Sequence, residues 1–192
     1  MKIVCFGDSL TYGYGVNSNS SWVSLLKTKL HNVTIINKGV NGDTTTGLLS
    51  RSYKDVIQED PDYVIIMAGT NDLLMNHSIE LIEDNIKLLI KEAKENNITP
   101  ILVLQPPIVE SLAKIYWDAS LDYKKANSIL LDYINWSKNY AKDNNITIIS
   151  FYDYLINKPN ITDLYSDGLH PNTIGHKLMF NTLYSSLINI IY

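Results

Sequence analysis

Five short runs rich in valine and isoleucine, each separated from the next by a longer amphipathic stretch, constrain this chain more than any other feature. The runs are residues 2–6, 33–36, 62–67, 100–104 and 146–150. They mostly lack polar alternation, which is how strands buried on both faces read. The stretches between them carry apolar residues at helical spacing. Residues 20–30 place Trp22, Leu25, Leu26 and Leu30 on one face, and residues 44–57 carry Leu48, Leu49 and Val56. Residues 78–95 carry Ile79, Ile82, Ile86, Leu89, Ile90 and Ala93, with Ser78 placed as N-cap. Residues 119–142 and 173–190 read the same way. Strands alternating with helices predict an α/β protein with a five-stranded parallel sheet and helices on both faces. Right-handed crossovers follow by rule.

The chain has 192 residues, 45% hydrophobic and 19% charged. Those values fit a globular chain and argue against disorder. The length suits one domain, residues 1–192, and no repeat or linker divides it. The net charge is -4, and no dense Lys/Arg run exists to neutralise a phosphate backbone, so no nucleic-acid partner is expected. The single cysteine, Cys5, lies in an apolar run and reads as a buried strand residue. The sequence enters its first strand without a signal-like segment, and no apolar stretch is long enough for a membrane span. A cytoplasmic location is therefore expected. Oligomeric state leaves no trace in the sequence.

In open α/β sheets, sites form beyond the carboxyl ends of the strands. The first strand is followed by Gly7-Asp8-Ser9-Leu10, the second by a loop holding Gly42-Asp43-Thr44, and the third by Gly69-Thr70-Asn71-Asp72. Beyond the fifth comes Asp167-Gly168-Leu169-His170-Pro171. All of these fall on one edge of the predicted sheet. A serine hydroxyl needs a base to become a nucleophile, and histidine supplies one near neutral pH. The imidazole in turn needs a carboxylate on its other nitrogen. Asp167 and His170, three residues apart around Gly168, can face one pocket and reach Ser9. An oxyanion then needs donors. The backbone N–H of Gly42, the side chain of Asn71 and the N–H of Ser9 qualify.

These four blocks, in this order, resemble those of the SGNH (GDSL) hydrolases, over residues 6–175. The resemblance implies a flavodoxin-like three-layer α/β/α fold. It also implies hydrolysis of carboxylic esters or thioesters through an acyl-enzyme, with a small-molecule or lipid-like substrate and no cofactor or metal. By the same resemblance Ser9 is the nucleophile, Asp167 and His170 complete a triad, and Ser9, Gly42 and Asn71 form the oxyanion hole. Deacetylation of a carbohydrate or cell-wall polymer is an alternative use of the same residues, and a binding protein without catalysis is another.

The remaining polar residues have simpler readings. Asp8 braces its loop, Asp72 orders the Asn71 loop, and Asp43, Thr44 and Thr45 are candidate helix caps. His31 and His77 are expected at the surface. His176 is a rival base that lacks a carboxylate at a matching spacing. Four histidines without a ligand-spaced cluster give no metal signature. Gly13-Tyr14-Gly15 lacks the third glycine of a dinucleotide fingerprint. Residues 105–118 are long for a connection on the site edge. Either Ile108, Val109, Tyr116 and Trp117 contact the acyl or leaving group, or they pack onto the next helix; the sequence leaves both open.

Overall fold

The structure is a computed structural model describing residues 1–191. Its strands are β1 (Lys2–Gly7), β2 (Thr34–Gly39), β3 (Tyr63–Met67), β4 (Thr99–Leu104) and β5 (Thr147–Ser150). They form one parallel sheet in the order β2-β1-β3-β4-β5. Alternate side chains of each inner strand enter two separate cores. Ile3, Cys5, Ile65, Met67, Ile101 and Val103 meet α2 (Trp22–Lys29), α8 (Phe151–Leu155) and α9 (Thr173–Ile191). Val4, Phe6, Val64, Ile66, Leu102 and Leu104 meet α3 (Thr45–Asp55), α5 (Ile79–Glu95) and α7 (Tyr123–Asp143). The result is the expected three-layer α/β/α arrangement.

Each long helix begins where a side-chain oxygen replaces a missing backbone partner. Ser21 caps α2, Thr44 caps α3, Ser78 caps α5 and Asp122 caps α7. The last of these moves the start of α7 to Tyr123, because residues 118–122 close a turn around Asp118. Strand β2 runs past its apolar part through Asn37-Lys38-Gly39. It is an edge strand, so backbone pairing with Cys5–Gly7 of β1 extends it without any need for apolar side chains.

The turns after the strands hold short helices that lack a full apolar period. Among them are α1 (Ser9–Tyr12) after β1, α4 (Thr70–Leu74) after β3 and α6 (Glu110–Tyr116) after β4. All three lie at the carboxyl edge.

Candidate active site

Strand β1 passes into α1 at Asp8, which accepts a hydrogen bond from Leu10 N–H at 2.9 Å and caps the short helix. This makes Ser9 the first helical residue at the strand's carboxyl end. Its Oγ lies 3.0 Å from His170 Nε2, and His170 Nδ1 lies 2.7 Å from Asp167 Oδ2. Asp167 Oδ1 also accepts from the backbone N–H groups of Leu169 and His170. Burial alone would raise the Asp167 carboxyl. The ring and backbone N–H of His170, and that of Leu169, outweigh it and hold the group below its ordinary value. An ionised carboxylate only accepts, so Nδ1 carries the proton and Nε2 is free to accept from Ser9.

The Asp167–His170 segment is clasped from outside. Gly168 has φ +90°, and a Cβ there would strike the backbone of Val109 and Ala113. Instead Val109 N–H donates to Gly168 C=O at 2.8 Å, and Tyr165 Oη–H donates to Pro107 C=O at 2.7 Å. Asn127 of α7 ties down both the N–H and the C=O of Ile108. Residues 105–118 therefore hold the His170 segment in place.

That finding divides the four candidate contacts in the segment. Ile108 and Val109 are only 5% and 7% exposed. Ile108 packs with Tyr123 and Ala126 of α7, and Val109 joins the core beside α9. Both residues thus make the packing contacts that the sequence left as one of two readings. Tyr116 is 64% exposed. Trp117 is the member that reaches the site: its ring centroid is 5.0 Å from that of His170. Tyr14, in the glycine-flanked turn after α1, sits 4.5 Å from the same imidazole and edge-on to Trp117 at 6.2 Å. Tyr14 was missed from the sequence, although it follows the same strand as Ser9.

Gly42 has φ +76°, and a Cβ added there would meet nothing within 4 Å. The loop thus opens onto free space on the site edge. Asn71, in the first turn of α4, donates its side-chain N–H to Asp43 C=O at 2.8 Å, so the two loops are tied together. Asp72 is fully buried and accepts from Thr45 N–H at 2.9 Å and Thr45 Oγ1–H at 2.8 Å. It fastens the start of α3 to the Asn71 loop. His77 approaches the same carboxylate at 3.4 Å and is half-exposed, while His31 is exposed. Thr44, and not Thr45 or Asp43, caps α3.

His176 plays no part at the serine. It is buried under α2, its Nδ1 accepts from Trp22 N–H at 3.3 Å, and burial pushes its pKa down to about 4. Asp8 is also buried. Its Oδ1 is used by the cap, its Oδ2 has no partner, and burial raises its pKa to about 7. Arg51, the only arginine, belongs to no motif that would mark it in the sequence. Its guanidinium reaches Asp43, Asp55 and two strand-end carbonyls.

A flavodoxin-like sheet whose carboxyl edge brings together a serine, a histidine and a carboxylate, hydrogen-bonded in that order, is an arrangement found in several kinds of hydrolase. The chain belongs to the GDSL-like lipase/acylhydrolase family, whose model matches residues 5–178, and it is a carboxylic ester hydrolase. An arylesterase of Vibrio mimicus is 30% identical over 88% of this chain and 80% of its own length. The thioesterase 1/protease 1/lysophospholipase L1 of Escherichia coli is 26% identical over 88% of this chain and 75% of that protein. Among solved structures, the lipase/acylhydrolase from Enterococcus faecalis superposes with a TM-score of 0.76. It is 26% identical and covers 97% of this chain and 94% of its own. No helix among the described residues is long and apolar enough to cross a membrane.

Proposed function

We propose that residues 1–192 form one hydrolytic domain that cleaves small-molecule carboxylic esters through an acyl-enzyme on Ser9. The observation that carries this reading is the continuous chain from Ser9 Oγ to His170 Nε2 at 3.0 Å and from Nδ1 to Asp167 at 2.7 Å. His170 takes the serine proton as Oγ attacks the ester carbonyl. The oxygen that gains charge is met by the N–H groups of Ser9 and Gly42 and by the Asn71 amide. The tie from Asn71 to Asp43 C=O leaves that amide its second N–H for the purpose. His170 then returns the proton to the leaving alcohol. Water repeats the cycle to release the acid and free Ser9. Asp167 holds the imidazole in the required tautomer throughout.

The apolar faces of Tyr14 and Trp117 beside His170 favour a substrate with an aryl or apolar acyl group next to the scissile bond. The test is Ser9→Ala against p-nitrophenyl acetate, with fluorophosphonate labelling of the parent enzyme. Loss of turnover by at least about 1,000-fold, with labelling at Ser9 alone, is expected. Retained turnover, or a label elsewhere, refutes the assignment.

A further inference from the structure

We infer that Arg51 is a positioning residue for this reaction, setting the geometry of the oxyanion hole from behind; this rests on the roles proposed above for Ser9, Gly42 and Asn71. Arg51 lies on α3, and its side chain touches no reacting atom in the scheme. Its Nη2–H donates to Gly7 C=O at 2.9 Å, the carbonyl directly preceding Asp8 and Ser9. Its Nε–H donates to Asp43 Oδ2 at 2.7 Å, the side chain directly following Gly42. Nη1 donates to Lys38 C=O at 2.9 Å and to Asp55 Oδ2 at 2.8 Å. The guanidinium lies 4.4 Å from the Phe6 ring centroid, which fixes the plane of the fork.

One rigid group thus joins the ends of β1 and β2 to the loop between β2 and α3. Asp43 passes the constraint on. Its Oδ1 accepts from Thr44 N–H at 3.1 Å, and its backbone carbonyl accepts from Asn71 at 2.8 Å. All three oxyanion donors are therefore cross-tied through Arg51 and Asp43. The charge of Arg51 is neutralised by Asp43 and Asp55, each within 2.8 Å, so its influence on the oxyanion is geometric. A lysine keeps the charge but cannot make four directed bonds from one plane. Misplacement of catalytic groups by about 1 Å costs on the order of 100-fold in rate.

The test compares Arg51→Gln, Arg51→Lys, Asn71→Ala and the Arg51→Gln/Asn71→Ala double variant on p-nitrophenyl acetate, with Ser9→Ala and Asp55→Asn as controls. Both Arg51 variants are expected to lose about 10- to 100-fold in kcat, with KM changed less than about threefold. The acidic limb of their kcat/KM–pH profile stays where it is in the parent, because the Ser9–His170 pair is intact. Asp55→Asn keeps kcat within about twofold, since its amide oxygen still accepts from Arg51 Nη1 and the bonds from Arg51 to Gly7 C=O and Asp43 remain. The double variant loses less than the product of the two single losses, because both changes release the same loop.

Thermal melting establishes that each variant is folded at the assay temperature. Should the Arg51 variants fail to fold, Asp43→Asn leaves one side-chain oxygen for the two donors Arg51 Nε–H and Thr44 N–H, so it breaks one of the two ties of the loop and is expected to show a loss in kcat of the same order. Parental kcat in a folded Arg51→Gln (or, in that event, in Asp43→Asn), full rescue by lysine, a loss confined to KM, or fully multiplicative losses would each overturn the inference. If Ser9→Ala is inactive while Arg51→Gln turns over normally, only this inference fails. If Ser9→Ala turns over normally, the reading of the site fails with it.

Discussion

Replacing Asp8 by asparagine is expected to stabilise this enzyme at alkaline pH and to leave it unchanged in acid. Asp8 is 1% exposed, and Oδ2 has no hydrogen-bond partner. Burial, reinforced by the negative charges of Asp43 and Asp72, raises its pKa from 3.8 to about 7. Between those two values the native state binds a proton that the unfolded chain does not. Its contribution to stability is therefore fully present below pH 3.8 and is lost as pH rises through about 7. At about 1.4 kcal/mol for each pH unit of difference, the loss by pH 8 is on the order of 4 kcal/mol.

Asparagine keeps the Oδ1 acceptor that Leu10 N–H requires, and it never ionises. Its NH₂ takes the place of the protonated oxygen, so both side chains present an unpartnered donor in acid and little difference is expected there. The assay is the melting temperature of parent and Asp8→Asn across pH 4.5 to 9. For a chain of this size each kcal/mol moves Tm by about 2–4 °C, so the curves are expected to separate by roughly 10 °C at the alkaline end. Parallel curves would refute the reasoning, because they would mean that Asp8 is ionised in the fold at no cost.

Two further outcomes follow from the same structure. His176 works in the opposite direction. Its neutral form is favoured by burial, so its stability is fully present above pH 6.5 and lost as pH falls through about 4. In His176→Asn, which retains an acceptor for Trp22 N–H, the decline of stability between pH 6.5 and 4 is expected to be shallower by about 3 kcal/mol, read by urea unfolding; an unchanged slope contradicts this. Trp117→Ala removes the ring beside His170 and Tyr14. It is expected to lower kcat/KM for aryl and medium-chain esters about 3- to 10-fold relative to simple alkyl acetates, and unchanged chain-length selectivity excludes the contact.

The sheet and its long helices were legible because burial on both faces writes itself into sequence as apolar runs and helical periods. Ser9, Asp167 and His170 could be proposed because their roles depend on residue type at the ends of those runs. What could not be read depends on contacts that leave no periodic trace. Helices α1, α4 and α6 have four, five and seven residues, too few for an amphipathic pattern. The guanidinium of Arg51 is held partly by backbone carbonyls, which any residue supplies, at positions 13 and 44 residues away. Ile108 and Val109 can be read from sequence either as pocket residues or as packing residues. Only the path of α7 and the Asn127 clamp turn them inward.

The strand order explains why the candidate site needs such bracing. From β1 the chain crosses to β2 by α2 on one face. From β2 it returns to β3 by α3 on the other. The two crossovers diverge at the end of β1, leaving a crevice there, and this is where Ser9 stands. Gly42 and Asn71 follow the strands that flank β1, so the sheet itself sets their spacing. His170 has no such support. It lies twenty residues past the end of β5, at the far edge of the sheet, on a segment that must cross back over β4 and β3 to reach Ser9. Packing across that distance falls to residues 105–118, whose backbone bonds to Gly168 and Tyr165 replace a strand. The absence of a side chain at Gly168 lets Val109 approach closely enough to make the first of them. Ser9, Gly42 and Asn71 are thus placed by the sheet, with Arg51 tying the ends of β1 and β2 to the Asp43 loop, while His170 is placed by a clasp between two loops.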